Sequence, residues 1–195
     1  MTITLTFDFN CIISLENNDE FSTHLQKLIE LHDRDLVNIS VPAISASEKL
    51  PNGEYVDNIQ KFIDRVSKLS TRRFEILKPM LIFDMTYWDY CIWADDAMIE
   101  LEKDIRLILF PNFPKSYAEY AKKQNINPEI LVPKWRNSEC DVVSLWCHII
   151  YQHDVFVTND NNFHRQLKKE KLLKLGSKKI IRPLEALNDL GYENY

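Results

Sequence analysis

Apolar and polar residues alternate near the start of the chain. Ile3, Leu5, Phe7 and Phe9 interleave with Thr4, Thr6, Asp8 and Asn10. A period of two puts successive side chains on opposite faces, so a strand is predicted. The period then lengthens: Phe21, Leu25, Leu28 and Ile29 predict a helix running to about His32. Residues 36–41, closed by Pro42, predict a second strand, followed by a helix that begins near Ser45 or Ser47 and carries Glu48. Pro51-Asn52-Gly53 marks a turn, and an amphipathic helix is predicted over 56–69.

Residues 74–83 are apolar but broken by Pro79, which allows one or two short strands. Tyr87, Tyr90, Cys91, Ala94, Met98, Leu101, Ile105 and Ile108 predict a long helix, capped by Thr86 and ended by Pro111 and Pro114. A short helix is predicted over 117–124 and a connector over 125–135. Ser138 caps the next helix, with Asp141 three positions on, in the manner of a capping box. Val155-Phe156-Val157 reads as a buried strand, followed by a basic helix over 163–175 stopped by Gly176, a strand over 179–182 and a helix over 183–190. Strands alternating with helices predict an α/β fold with a mostly parallel sheet covered on both faces. In such sheets ligands bind beyond the carboxyl ends of the strands, where the strand order reverses.

Composition narrows the chemistry. Three glycines in 195 residues, all isolated, exclude glycine-rich dinucleotide and phosphate loops. No apolar run approaches the ~18 residues of a membrane span, and no signal peptide is read at the N-terminus. Cys11, Cys91, Cys140 and Cys147 form no CxxC pair, so reduced thiols in a cytoplasmic protein are expected. The net charge of −5 argues against a passive, charge-driven nucleic-acid binder, but the charge is unevenly placed. Residues 84–104 hold seven acids against Lys103, and residues 164–182 hold eight bases against Glu170.

Four carboxylates fall near predicted strand ends or helix starts: Asp8, Glu48, Asp141 and Asp160. Each has an ordinary alternative. Asp8 and Asp160 suit turns, Asp141 suits a helix N-terminus, and Glu48 suits a solvated helix face. At one sheet edge, however, four ionised carboxylates require a cation. Hard divalent ions prefer oxygen ligands, and such sites support in-line phosphoryl displacement.

Four segments resemble the PIN-domain family of metal-dependent nucleases: TFDFNCIISL, VPAISASEKL, SECDVVSLWCHII and VFVTNDNNF. The last resembles the family's T-x-D-x-x-F element. With their flanks, these segments cover about residues 1–50 and 138–190. The resemblance implies a single domain over 1–195, built as a three-layer α/β/α sandwich with about five strands, plus an enlarged helical region at about 70–135. It implies that Asp8, Glu48, Asp141 and Asp160 form the acidic quartet holding Mg²⁺ or Mn²⁺, with Asn10, Thr158 and Asn162 as supporting polar residues. It implies hydrolysis of phosphodiesters in single-stranded RNA, leaving 5′-phosphate and 3′-hydroxyl ends. A toxin–antitoxin or defence setting, with an antitoxin or other regulatory protein as partner or a homo-oligomer, follows by the same analogy. The chain departs from the family at Asn162, where many members have Asp, and in the interval of about 93 residues between Glu48 and Asp141.

Arg165, Lys168 and Lys169 on the basic helix are candidates to guide a phosphate backbone, and Trp135 and Arg136 are candidates to contact a base and its phosphate. Their ordinary alternatives are a solvated helix face and core packing. Two rival functions remain: a PIN-like fold serving as a binding or assembly module, and an aspartyl-nucleophile phosphatase. The second is ranked low, because its usual second Asp is here Asn10.

Overall fold

The computed structural model describes residues 2–48, 58–114 and 116–192. Strand β1 (Ile3–Phe7) leads directly into helix α1 (Phe9–Asn17), which ends on Asn18 in the left-handed region (φ 51°). Helix α2 (Ser22–Asp33) then returns the chain to β2 (Val37–Pro42). A 3-10 turn (Ala43–Ser47) follows β2. Helix α3 (Ile59–Val66), capped by Asn58, precedes the short strand β3 (Glu75–Leu77). The chain continues through α4 (Asp96–Leu109), α5 (Tyr117–Gln124) and α6 (Pro133–Ile150) to β4 (Val155–Val157). Helices α7 (Asn161–His164) and α8 (Gln166–Lys174), strand β5 (Ile180–Ile181) and α9 (Pro183–Asp189) complete the described fold.

The strands form one sheet in the order β3-β2-β1-β4-β5, and every pairing is parallel. Central β1 aligns Leu5 with Ile39 on one side and with Val155 on the other. Helices cover both faces. Leu5, Phe7, Ile39, Val41 and Val157 pack under α1, α2, α3 and α9, while Leu77, Phe156 and Ile180 pack under α4, α6, α7 and α8. This is the three-layer α/β architecture implied by the alternating pattern.

The polar face of β1 is also buried, which its alternation alone does not predict. Thr6 is fully enclosed, and its Oγ1 lies 2.8 Å from His153 Nδ1 and 3.1 Å from His148 Nδ1. Burial lowers the His148 pKa to about 3, with the neighbouring His153 contributing, so this hydrogen-bonded cluster is neutral at physiological pH.

Several predicted elements are corrected. Glu48 is not on a helix; it closes the 3-10 turn in an extended conformation (φ −77°, ψ 152°). The Pro51-Asn52-Gly53 turn lies outside the described residues. The long helix predicted from Thr86 starts only at Asp96. Asp95 caps it by accepting from Met98 N–H at 2.8 Å, while Thr86 Oγ1 bonds the backbone of Ile82. Residues 80–92 instead form a loop closed by a parallel bridge between Met80 and Ile92. Ser138 does not cap α6, which begins at Pro133; the Ser138 hydroxyl donates to Trp135 O at 2.7 Å. The segment 70–135 contributes more than helices, since it supplies edge strand β3, with Ile76 aligned to Val41.

Candidate metal centre

The strand order reverses beside β1, where the chain has passed through β2 and β3 to one edge and then crosses to β4. Asp8 stands at that point, immediately after β1, and its N–H donates to Val157 O at 3.0 Å. Its carboxylate is held from three directions. Oδ1 accepts from Phe9 N–H at 2.8 Å; Oδ2 accepts from Asn10 Nδ2 at 2.6 Å and from Thr158 Oγ1 at 2.8 Å. Asn10 also accepts Asn159 N–H at 3.0 Å, tying the end of β1 to the loop after β4. The expected supporting residues Asn10 and Thr158 therefore contact Asp8 directly.

Glu48 comes from the turn that follows β2, and Asp141 from the interior of α6. Because α6 starts well upstream, at Pro133, the macrodipole at its N-terminus gives no reason for an acid at position 141. One carboxylate oxygen each from Asp8, Glu48 and Asp141 lies within 4.8 Å of the others. Asp160 is outside this triad. Its Oδ1 caps α7 by accepting Asn162 N–H at 2.8 Å, and its own N–H donates to Thr158 Oγ1 at 3.1 Å. It is still near enough for its charge to raise the pKa of all three triad members.

The triad is costly when ionised. Burial pushes the Asp8 pKa up to about 6, outweighing the hydrogen bonds that favour its charge. Burial raises Glu48 and Asp141 well above the ordinary carboxylate range, and the neighbouring carboxylates add to both shifts. A group whose pKa is raised in the folded state stabilises the fold when protonated, and that contribution is lost as pH rises through the folded value. With a chelator present, the stability deficit of the parent relative to Asp141→Asn is therefore expected to shrink as pH falls from 7 towards 4. Melting curves of the two proteins across that range check this.

Three carboxylates from separate elements, with one prealigned by hydrogen bonds, fit a hard divalent cation such as Mg²⁺ or Mn²⁺. The nearby thiols do not compete as ligands. Burial pushes Cys11 and Cys140 well above the usual thiol range, and their Sγ atoms are directed at Val157 O and Ile44 O.

The other sequence candidates are placed elsewhere. Asn162 does not join the triad: Nδ2 donates to Leu109 O at 3.3 Å and Oδ1 accepts from Lys168. Lys168 also bonds Leu109 O, so both residues fasten α7 and α8 to the end of α4. Arg165 is exposed at the junction of α7 and α8, and Lys169 is half-buried on α8. Trp135 offers no open ring to a base. It is 4% exposed, stacked on Phe113 at 5.9 Å, with the Arg106 guanidinium over it at 5.3 Å. Its neighbour Arg136 donates to Asp84 O at 3.1 Å.

Sequence reasoning missed the brace behind the Asp160 loop. Arg182 donates to Asn159 O at 3.1 Å and to Asn161 Oδ1 at 2.6 Å, and His164 Nε2 lies 2.9 Å from Thr158 O. Only tertiary pairing could reveal Arg182, because position 182 reads locally as the end of a strand. Among the described residues no helix is long and apolar enough to cross a membrane. The chain matches no protein-family model, no curated protein and no solved structure.

Proposed function

We propose that this chain is a divalent-metal-dependent endoribonuclease of the PIN type, acting on single-stranded RNA in the cytoplasm. The observation that carries the reading is the convergence of Asp8, Glu48 and Asp141 at the sheet's switch point. The four sequence segments that resemble the PIN family support it, since they contribute these acids and Asp160. Asp8, Glu48 and Asp141 would hold the cation, which when bound supplies activation of water and neutralisation of phosphate charge.

The chain's own residues do the positioning. Phe9 N–H, Asn10 and Thr158 fix the Asp8 carboxylate against rotation. Asp160 adds negative charge beside the triad, and Arg182 and His164 hold its loop. A toxin or defence role with a protein regulator belongs to this reading by the same family resemblance.

The test is cleavage of an end-labelled single-stranded RNA pool in Mn²⁺ or EDTA. Parent protein is expected to cleave only with the cation. Asp141→Asn is expected to lose well over 100-fold in rate. Asp160→Asn is expected to lose about 10–100-fold, the range typical when a group just outside a metal's ligands is removed. Cation binding without any cleavage by the parent would instead support a PIN-like binding module. Equal cleavage in EDTA would refute the metal-dependent reading.

A further inference from the structure

Among the described residues, the most exposed phenylalanine and tryptophan side chains lie in the loop 80–92 and immediately after it. Phe83 is 75% exposed, Trp88 69% and Trp93 81%. Paired exposed aromatics such as Phe83 and Trp88 on a braced loop are a feature of interaction surfaces. Leu81 N–H donates to Ile92 O and Ile92 N–H to Pro79 O, both at 2.9 Å. Thr86 Oγ1 accepts from Ile82 N–H at 2.9 Å, closing the loop from inside. Phe83 and Trp88 meet edge to face at 6.2 Å.

A cleft of about 390 Å³ opens beside Phe83, with apolar walls that include Met80, Ile82 and Leu131. Its charged lining is Asp84 and the Glu102–Arg106–Glu139 cluster, in which one guanidinium is shared by two carboxylates, a balance of −2. Outside the cleft, Asp89, Asp95 and Asp96 are exposed. The one base in 84–104, Lys103, is paired with Glu100 at 2.6 Å.

We propose that this loop and its cleft form a docking surface for a cationic amphipathic segment of a partner protein. A Lys or Arg head would enter the cleft, and the apolar neighbours of that residue would cover Phe83 and Trp88. Carboxylates beside aromatic rings suit a cation. The same carboxylates repel phosphates, which disfavours nucleic acid on these rings. The cleft is within the ~300–1,000 Å³ of typical ligand pockets, ample for one long basic side chain. Met85, at the wall of the cleft, accepts the hydroxyl of Ser47 through its carbonyl, which ties the loop to the turn after β2. The docking surface does not depend on nuclease activity.

The probe is a fluorescein-labelled peptide of alternating Arg and Leu, compared with a Glu–Leu peptide of equal length and with poly-uridine, read by fluorescence anisotropy on the full chain. The Arg peptide is expected to bind at least tenfold more tightly than the Glu peptide. Trp88→Ala and Asp84→Asn/Asp89→Asn, both on exposed positions, are each expected to weaken it about tenfold or more with melting temperature unchanged. The proposal is overturned by equal binding of the two peptides or by variants that bind like the parent. It is also overturned if poly-uridine binding is what Trp88→Ala removes, or if sedimentation shows a self-association that Trp88→Ala dissolves.

Discussion

In a chelating buffer at pH 7, Asp141→Asn is expected to melt at a higher temperature than the parent. Asp141 is crowded by Asp8 and shares with Glu48 the negative field of Asp160. Replacing one charge by an isosteric amide relieves like-charge repulsion and part of a desolvation cost, and Asp and Asn have similar helix propensities. A gain of about 1–3 kcal/mol is a reasonable magnitude. For a chain this size it corresponds to roughly 2–12 °C. Adding Mn²⁺ should reverse the order. A cation at 1,000 times its dissociation constant adds about 4.1 kcal/mol to the protein that binds it, more than the variant's advantage, and the variant has lost one of three ligands. The parent should then melt above the variant. Two scanning-calorimetry traces per protein check this crossing. A variant less stable than the parent in chelator would show that the triad is not strained by its own charge.

Arg106→Met should cost more than any single change at the triad. Arg106 on α4 pairs with Glu139 on α6 through both terminal guanidinium nitrogens and with Glu102 one turn earlier. The guanidinium also lies over the Trp135 ring. Arg106 is 9% exposed and Glu139 5%, so removing the cation leaves two carboxylates facing each other with little water. Breaking a buried pair from one side typically costs about 3–5 kcal/mol. That is roughly 6–20 °C in melting temperature at this chain length. A companion protein with Arg106→Met, Glu102→Gln and Glu139→Gln should recover much of the loss, because no buried charge is then unpaired. Burial already raises the Glu139 pKa despite Arg106, so the deficit of the single variant should narrow as pH falls and Glu139 takes up a proton. Urea unfolding of the three proteins at pH 5 and pH 7 measures both effects. A single variant as stable as the parent would show that this cluster contributes nothing to the α4–α6 contact.

Elements with strong local signals were legible in the sequence. Leu5 and Phe7 alternating with Thr4 and Thr6 identify β1, and the apolar triplet 155–157 is β4 residue for residue. Helix α5 matches 117–124, and Pro183 starts α9. What failed depended on partners distant in sequence. The helical period at 87–95 is real, but 87–92 are committed to the loop that the Met80–Ile92 bridge closes and Asp95 caps the helix that starts after it. The Ser138 cap lost to Pro133, whose fixed φ suits the first helical turn. The sequence leaves Trp135 between core packing and base stacking, because nothing local announces Phe113, Tyr117 and Tyr120 around it; the structure gives packing.

At the site, Asp8, Glu48 and Asp141 could be named in advance because acids at strand ends and helices of a parallel sheet converge. The exclusion of Asp160 from the closest group could not be read, since it turns on which backbone N–H the carboxylate caps.

The position of β1 at the centre of the sheet has a consequence for biosynthesis. Its partner β2 is made soon after it, but its other neighbour β4 begins only at Val155. Asp8 and Glu48 are therefore made well before residues 141–158. Asp141 and the Thr158 hydroxyl arrive late, and the pairing that seats them must close a very long loop. The carboxylate centre therefore cannot close as soon as β1 and β2 pair; it waits for α6 and the residue after β4.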